Sequence, residues 1–256
     1  MSEFASALMR LWPAGDRRVS GLRAGMIAAA PEVFARYGIT TPGLMAHVMA
    51  QISHECGAGC EVVENLNYTA ARIRQVWPSR FSTVASAVPY AHEPRSLANK
   101  VYNGRMGNRT GSDDGWTFRG RGAAQTTGRD GYERLATLTG LDLIAQPDLL
   151  IDPRCFLLCG VADFVACGCL PFAQADDIVG VTRRLNGGTI GLSERRSWLA
   201  KWKAALGEVA VLTAAPPLVP DLPRSQEQPQ TTPSISPPAS RWAQLVAALT
   251  AVFRRT

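Results

Sequence analysis

The chain has 256 residues, 46% of them hydrophobic, and a formal charge of +6. That apolar content supports a packed core and excludes disorder throughout, and no run of about 18 apolar residues is present to span a membrane. The basic balance favours a polyanionic partner, but no zinc finger or aromatic sheet motif accompanies it, so nucleic acid is not expected.

Phe4 to Trp12 is a short apolar segment followed by Pro13, Asp16, Arg17 and Arg18, which is not the pattern of a secretory signal. Helix-compatible apolar spacing then recurs over residues 22–36, 42–56, 69–77, 131–139, 154–166 and 194–206. Thr41-Pro42 places a capping residue before a helix-starting proline, and Gly38 follows Phe34 and Tyr37 as a helix stop would. Alternating patterns are scarce, and Trp116 to Arg121 is the best short β candidate.

Residues 1–212 read as one folded unit. From Pro216 to Pro238 lie eight of the 17 prolines, with Ser, Thr and Gln between them, so residues 213–240 are expected to form an extended linker. In 241–256, Trp242, Leu245, Val246, Leu249 and Phe253 fall on one helical stripe with Arg254 and Arg255 at the end. This cationic tail would either seek an anionic membrane surface, dock on the domain or simply fray.

The six cysteines are Cys56, Cys60, Cys155, Cys159, Cys167 and Cys169. They contain no C-x-x-C pair, and buried, reduced structural thiols are expected rather than a zinc site. His54-Glu55 is not the zinc motif H-E-x-x-H either, because position 58 is Ala58. Neither a metal nor a cofactor is called for.

The most informative window is His54 to Tyr68. Leu44, Val48, Gln51 and Ile52 suggest a helix that delivers Glu55 at its C-terminal end. There the dipole disfavours the anion, and apolar neighbours would do so further, which suits a general acid near neutral pH. Glycoside hydrolysis usually needs a second carboxylate. Glu64 lies nine residues on, and an unbroken helix would turn it about 900° away, to the opposite side. Gly57 and Gly59 break the helix and let the chain fold back toward Glu55. Glu61 is the second candidate base, and Asp113 and Asp114 are weaker ones in a Gly-rich loop.

Four segments in this order and spacing resemble the catalytic domain of glycoside hydrolase family 19, closest to its short phage-type endolysin branch. They are Ala50 to Glu55; Glu64 to Ala70; Asn99 to Asp130, with Arg105-Met106-Gly107-Asn108 and Phe118-Arg119-Gly120-Arg121-Gly122-Ala123-Ala124-Gln125-Thr126-Thr127 within it; and Thr182 to Gly188 with Arg195 downstream. The resemblance spans residues 20–206. Gly131 departs from the asparagine frequent in the family, and Cys56 and Cys60 stand where polar residues are usual.

The resemblance implies a predominantly helical, lysozyme-like α+β fold with a deep glycan-binding cleft. It implies inversion, with Glu55 as acid and Glu64 activating a water that Thr127 helps hold. His54, Gln125, Tyr132 and Asn186 would bind sugar, and Arg195 would support the acid region electrostatically. From their ring chemistry, Trp116 and Trp77 are candidates to stack on sugar faces, Trp77 being the better candidate for the core. The expected activity is peptidoglycan cleavage by a monomer made in the cytoplasm and acting on the cell wall or periplasm after release. The alternatives are a chitinase on the same fold and an inactive glycan-binding module; retention of both Glu55 and Glu64 argues against the last.

Overall fold

The structure is a computed structural model that describes residues 2–207. The expected linker, the tail and their boundary near residue 212 lie outside the described residues. The described residues form twelve α-helices: α1 (Glu3–Leu11), α2 (Leu22–Arg36), α3 (Pro42–Glu55), α4 (Ala70–Val76), α5 (Val84–Ala87), α6 (Pro94–Tyr102), α7 (Asp114–Thr117), α8 (Arg129–Thr139), α9 (Phe156–Ala166), α10 (Leu170–Gln174), α11 (Ile178–Asn186) and α12 (Leu192–Ala205). Three short 3₁₀ turns complete the list.

α3 is the axis of the molecule. Thr41 caps its start by accepting from the Leu44 N–H at 3.2 Å, and Pro42 occupies the first turn, where its missing N–H costs nothing. Every residue from Ala46 to Ser53 is buried, so this helix shows no polar face, only a polar residue wherever a partner waits. Ser53 is one such residue. Its hydroxyl oxygen accepts from the indoles of Trp12 and Trp202, each at 2.9 Å, joining the end of α1 and the body of α12 to α3. His47 is another, with Nε2 2.7 Å from Asp176 Oδ1, while Lys203 donates to Asp176 Oδ2 at 2.7 Å.

Three apolar clusters divide the fold. The largest surrounds α3 and draws on α1, α2, α9 and α12, including Phe4, Leu8, Met26, Val48, Phe156 and Trp202. A second joins α4 and α6 through Ile73, Trp77, Phe81, Leu97, Val101 and Tyr102; Trp77 is a core residue, as expected of it. A third gathers Phe118, Tyr132, Leu135 and Leu150 under α8. Each such fully buried apolar side chain contributes roughly 1.5–3 kcal/mol relative to exposure.

The β element expected over 116–121 does not form. Trp116 lies within the helical turn α7, and β pairing among the described residues is limited to two isolated bridges, Val63 with Arg121 and Arg121 with Thr126. The physical reason lies in α6. Asn99 Oδ1 accepts from the Trp116 N–H and Asn103 Oδ1 from the Gly115 N–H, each at 2.8 Å, so side-chain amides satisfy donors that a neighbouring strand would otherwise take.

All six cysteines are unpaired. Burial pushes the Cys167 thiol up to about 11 and Cys159 up to about 12, so these sulfurs are protonated packing groups rather than nucleophiles.

Candidate active site

α3 ends on Glu55, and the chain turns at once. Gly57, Ala58 and Gly59 have φ of +54°, +52° and +86°, a left-handed run that no α-helix continues. Gly59 is also sterically required: a methyl there would lie 2.7 Å from the Gly15 carbonyl oxygen and 3.1 Å from the Trp12 ring. The Glu61 N–H closes the turn on the Cys56 carbonyl at 2.9 Å. The returning segment is then pinned to the 118–127 loop, with Glu64 N–H to Gly120 O and Gly122 N–H to Val62 O, both at 2.8 Å. The glycine-broken bend therefore determines which loop Glu64 meets.

Glu64 is held by two donors. The Tyr102 phenol donates to Oε1 at 2.5 Å and the Gly120 N–H to Oε2 at 3.2 Å. Burial pushes the Glu64 carboxyl above its ordinary value; the bonds from Tyr102 and Gly120 and the charge of Arg119 oppose this, and burial prevails. Tyr102 ends α6 and has no exposed surface. Its own burial, then the charge of Glu64, hold the phenol well above its ordinary range, so it stays a proton donor.

Gly120 is the meeting point of three further groups. A methyl there would sit 3.1 Å from Gln125 Oε1, 3.2 Å from Glu64 Cβ and 3.3 Å from Thr127 Oγ1. Gln125 holds an uncommon φ of +49° and donates through Nε2 to the Glu61 carbonyl at 2.7 Å. The Thr127 hydroxyl donates to the Gln125 carbonyl at 3.0 Å. Glu64, Gln125 and Thr127, expected together in the site, are thus brought around one glycine.

Glu55 has different company. Arg195, on α12 and 1% exposed, donates from Nη2 to Glu55 Oε1 and from Nη1 to Gln51 Oε1. The carboxyl faces a cation rather than the apolar neighbours that the helix pattern suggested. Beside it, the His54 ring packs against Gly191 at the start of α12, where a methyl would lie 2.6 Å from Nε2.

A cavity of about 370 Å³ opens beside Glu64, its wall including Asn65, Asn67, Trp116, Arg119 and Arg18. Glu55 is not on that wall, nor are Gln125 and Thr127. A second cavity, of about 350 Å³, lies at the other end of α3 beside His47, Asp176 and Lys203 and contains neither carboxylate of the proposed pair, so size alone does not locate the chemistry.

The remaining expected residues fall as follows. Tyr132 is fully buried, its hydroxyl donating to the Arg119 carbonyl at 2.7 Å and accepting from Arg121 at 2.9 Å, so it braces the loop from behind. Asn186 ends α11, 5% exposed, and donates to the Ile190 carbonyl at 3.1 Å. Glu61 is exposed and contributes its carbonyl to Gln125. Asp113 and Asp114 are engaged by Arg95 at 2.7 Å and Arg109 at 3.0 Å, and these arginines hold both carboxyls below the usual range. They shape the loop. Tyr102 lies inside the family-like segment Asn99 to Asp130 and carries no signal of this role in the sequence, because nothing in a local pattern links it to a carboxylate 38 residues earlier.

No family model matches the sequence. Over 177 residues the chain is 33% identical to a glycosyl hydrolase family 19 domain-containing protein of Haemophilus influenzae, a match covering 67% of this chain and 84% of that protein. With this likeness spanning most of both proteins, the chain belongs to the glycosyl hydrolase family 19 domain proteins.

Proposed function

We propose that the chain is an endo-acting, inverting hydrolase of the β-1,4 bonds of peptidoglycan, on a lysozyme-like fold akin to the phage-endolysin branch of its family. The observation that carries this reading is the glycine turn after Glu55, which ties Glu64 to the Gly120 loop next to Thr127 and Gln125. In this reaction Glu55 gives its proton to the glycosidic oxygen as the bond from the anomeric carbon breaks. A water held between Glu64 and Thr127 attacks that carbon from the opposite face and passes its proton to Glu64. Burial suits Glu64 to this role, since a base whose affinity for protons is raised toward the working pH accepts one more readily. Arg195 fixes Glu55 Oε1 and compensates the charge left when the proton departs, leaving Oε2 for the glycosidic oxygen. The charge of +6 favours an anionic wall over neutral chitin.

The test is product analysis on purified peptidoglycan and on chitin oligosaccharides, by mass spectrometry and by NMR of the first anomer released. Peptidoglycan fragments with inverted configuration are expected, with no product from Glu55→Gln or Glu64→Gln. Cleavage of chitin alone would move the assignment to a chitinase. A retained anomer, or an active Glu64→Gln, would overturn the mechanism.

A further inference from the structure

The wall of the cavity beside Glu64 carries two cations, Arg18 and Arg119, against the single carboxylate of Glu64. Neither arginine forms an ion pair among the described residues, whereas Arg121, Arg109 and Arg95 nearby have Asp148, Asp114 and Asp113 at 2.9, 3.0 and 2.7 Å. Arg119 is held as a flat surface. Its guanidinium carbon lies 3.7 Å from the centroid of the Trp116 ring, its Nη1 donates to the Trp116 carbonyl at 2.9 Å, and its Nε is buried with no partner. A stacked guanidinium loses little further freedom on binding and still offers a fork of donors that matches a carboxylate. Glu64 does not fill that fork: its oxygens accept from Tyr102 and Gly120, and it forms no ion pair with Arg119.

We infer that Arg119 and Arg18 form a specificity subsite that reads a carboxylate carried by the glycan. This rests on the hydrolase reading and makes the enzyme selective for acid-bearing strands over neutral ones. In a cell-wall strand that carboxylate comes either from the lactyl ether of the sugar or from the stem peptide.

The experiment measures kcat and KM for wild type, Arg119→Gln, Arg119→Lys and Arg18→Gln. The substrates are intact peptidoglycan, strands stripped of peptide so that their lactyl carboxylates are free, the same strands with those carboxylates amidated, and chitin oligosaccharides. Arg119→Gln should raise KM on acid-bearing strands and lower their kcat/KM relative to chitin by about tenfold. Arg119→Lys should recover part of this, because it keeps the charge and loses the fork. Amidation should remove the wild-type advantage. Preference for stripped strands assigns the lactyl source, and preference for intact wall the peptide. Arg18 is exposed, so Arg18→Gln probes the same subsite without burdening the fold. An unchanged ratio in both glutamine variants, on intact peptidoglycan and on stripped strands alike, would overturn the subsite while leaving the hydrolase intact; equal rates on amidated and free stripped strands assign the peptide source. Should wild type cleave none of these glycans, the hydrolase reading falls instead. Calorimetric binding of soluble peptide-bearing strands and of stripped strands to wild type and Arg119→Gln then decides the subsite by itself, equal affinities for both kinds of strand overturning it.

Discussion

The Tyr102 phenol donates to Glu64 Oε1 at 2.5 Å from a position with no exposed surface, so the carboxylate proposed as base is set by a residue of the second core cluster. Tyr102→Phe removes a donor that opposes the effect of burial on Glu64. The carboxyl then rises further, and less of it is ionised below neutrality. The acid limb of the pH profile of kcat/KM should move to higher pH, with activity about tenfold lower on that limb, in line with one hydrogen bond to a charged group. A profile reduced evenly at all pH values would deny Tyr102 this role.

Glu64 also affects stability. Its folded-state proton affinity is raised above the ordinary value of 4.5, so the native state binds more protons than the unfolded one just above that pH. Stability must therefore fall as pH rises from 4.5 through the raised value. Glu64→Gln should be inactive yet more stable than wild type near neutral pH. The gain should vanish at pH values below 4.5, where both carboxyl forms are protonated. Thermal melts across this range check it, and a gain independent of pH would contradict the assignment.

Arg195 joins Gln51 and Glu55 of α3 to α12 while 1% exposed. Arg195→Ala leaves a carboxylate and an amide oxygen without their cation and should cost roughly 3–5 kcal/mol in urea unfolding. Arg195→Lys keeps the charge without the fork and should recover part of that loss. A cost near zero would mean that α3 and α12 hold together without this link.

Gly120→Ala inserts a methyl 3.1–3.3 Å from Gln125, Glu64 and Thr127. The groups must give way by tenths of an ångström at the place where water is to be held, so kcat should fall at least about tenfold. The fold should lose no more than about 1 kcal/mol. Paired kinetics and melts separate the two effects, and an unchanged kcat would remove this loop from the chemistry.

Local chemistry in the sequence determined much of this protein. The apolar spacing over 22–36 and 42–56 matches α2 and α3, Thr41-Pro42 caps as expected, and Gly57 and Gly59 end the helix that carries Glu55. These are legible because helix periodicity, caps and left-handed turns depend on residues a few positions apart. The nine-residue helices α1, α6 and α11 escaped although each gathers its apolar residues on one face, and although the shorter α4 was anticipated over 69–77. The β reading of 116–121 failed because Asn99 and Asn103, distant in sequence, took the backbone donors. That Arg195 would support Glu55 across 140 residues followed from the family resemblance; only the tertiary structure decided that Tyr102 would hold Glu64 and that Arg119 would lie on Trp116 without a carboxylate of its own. Burial and charge pairing are properties of the assembled core, and no window of the chain contains them.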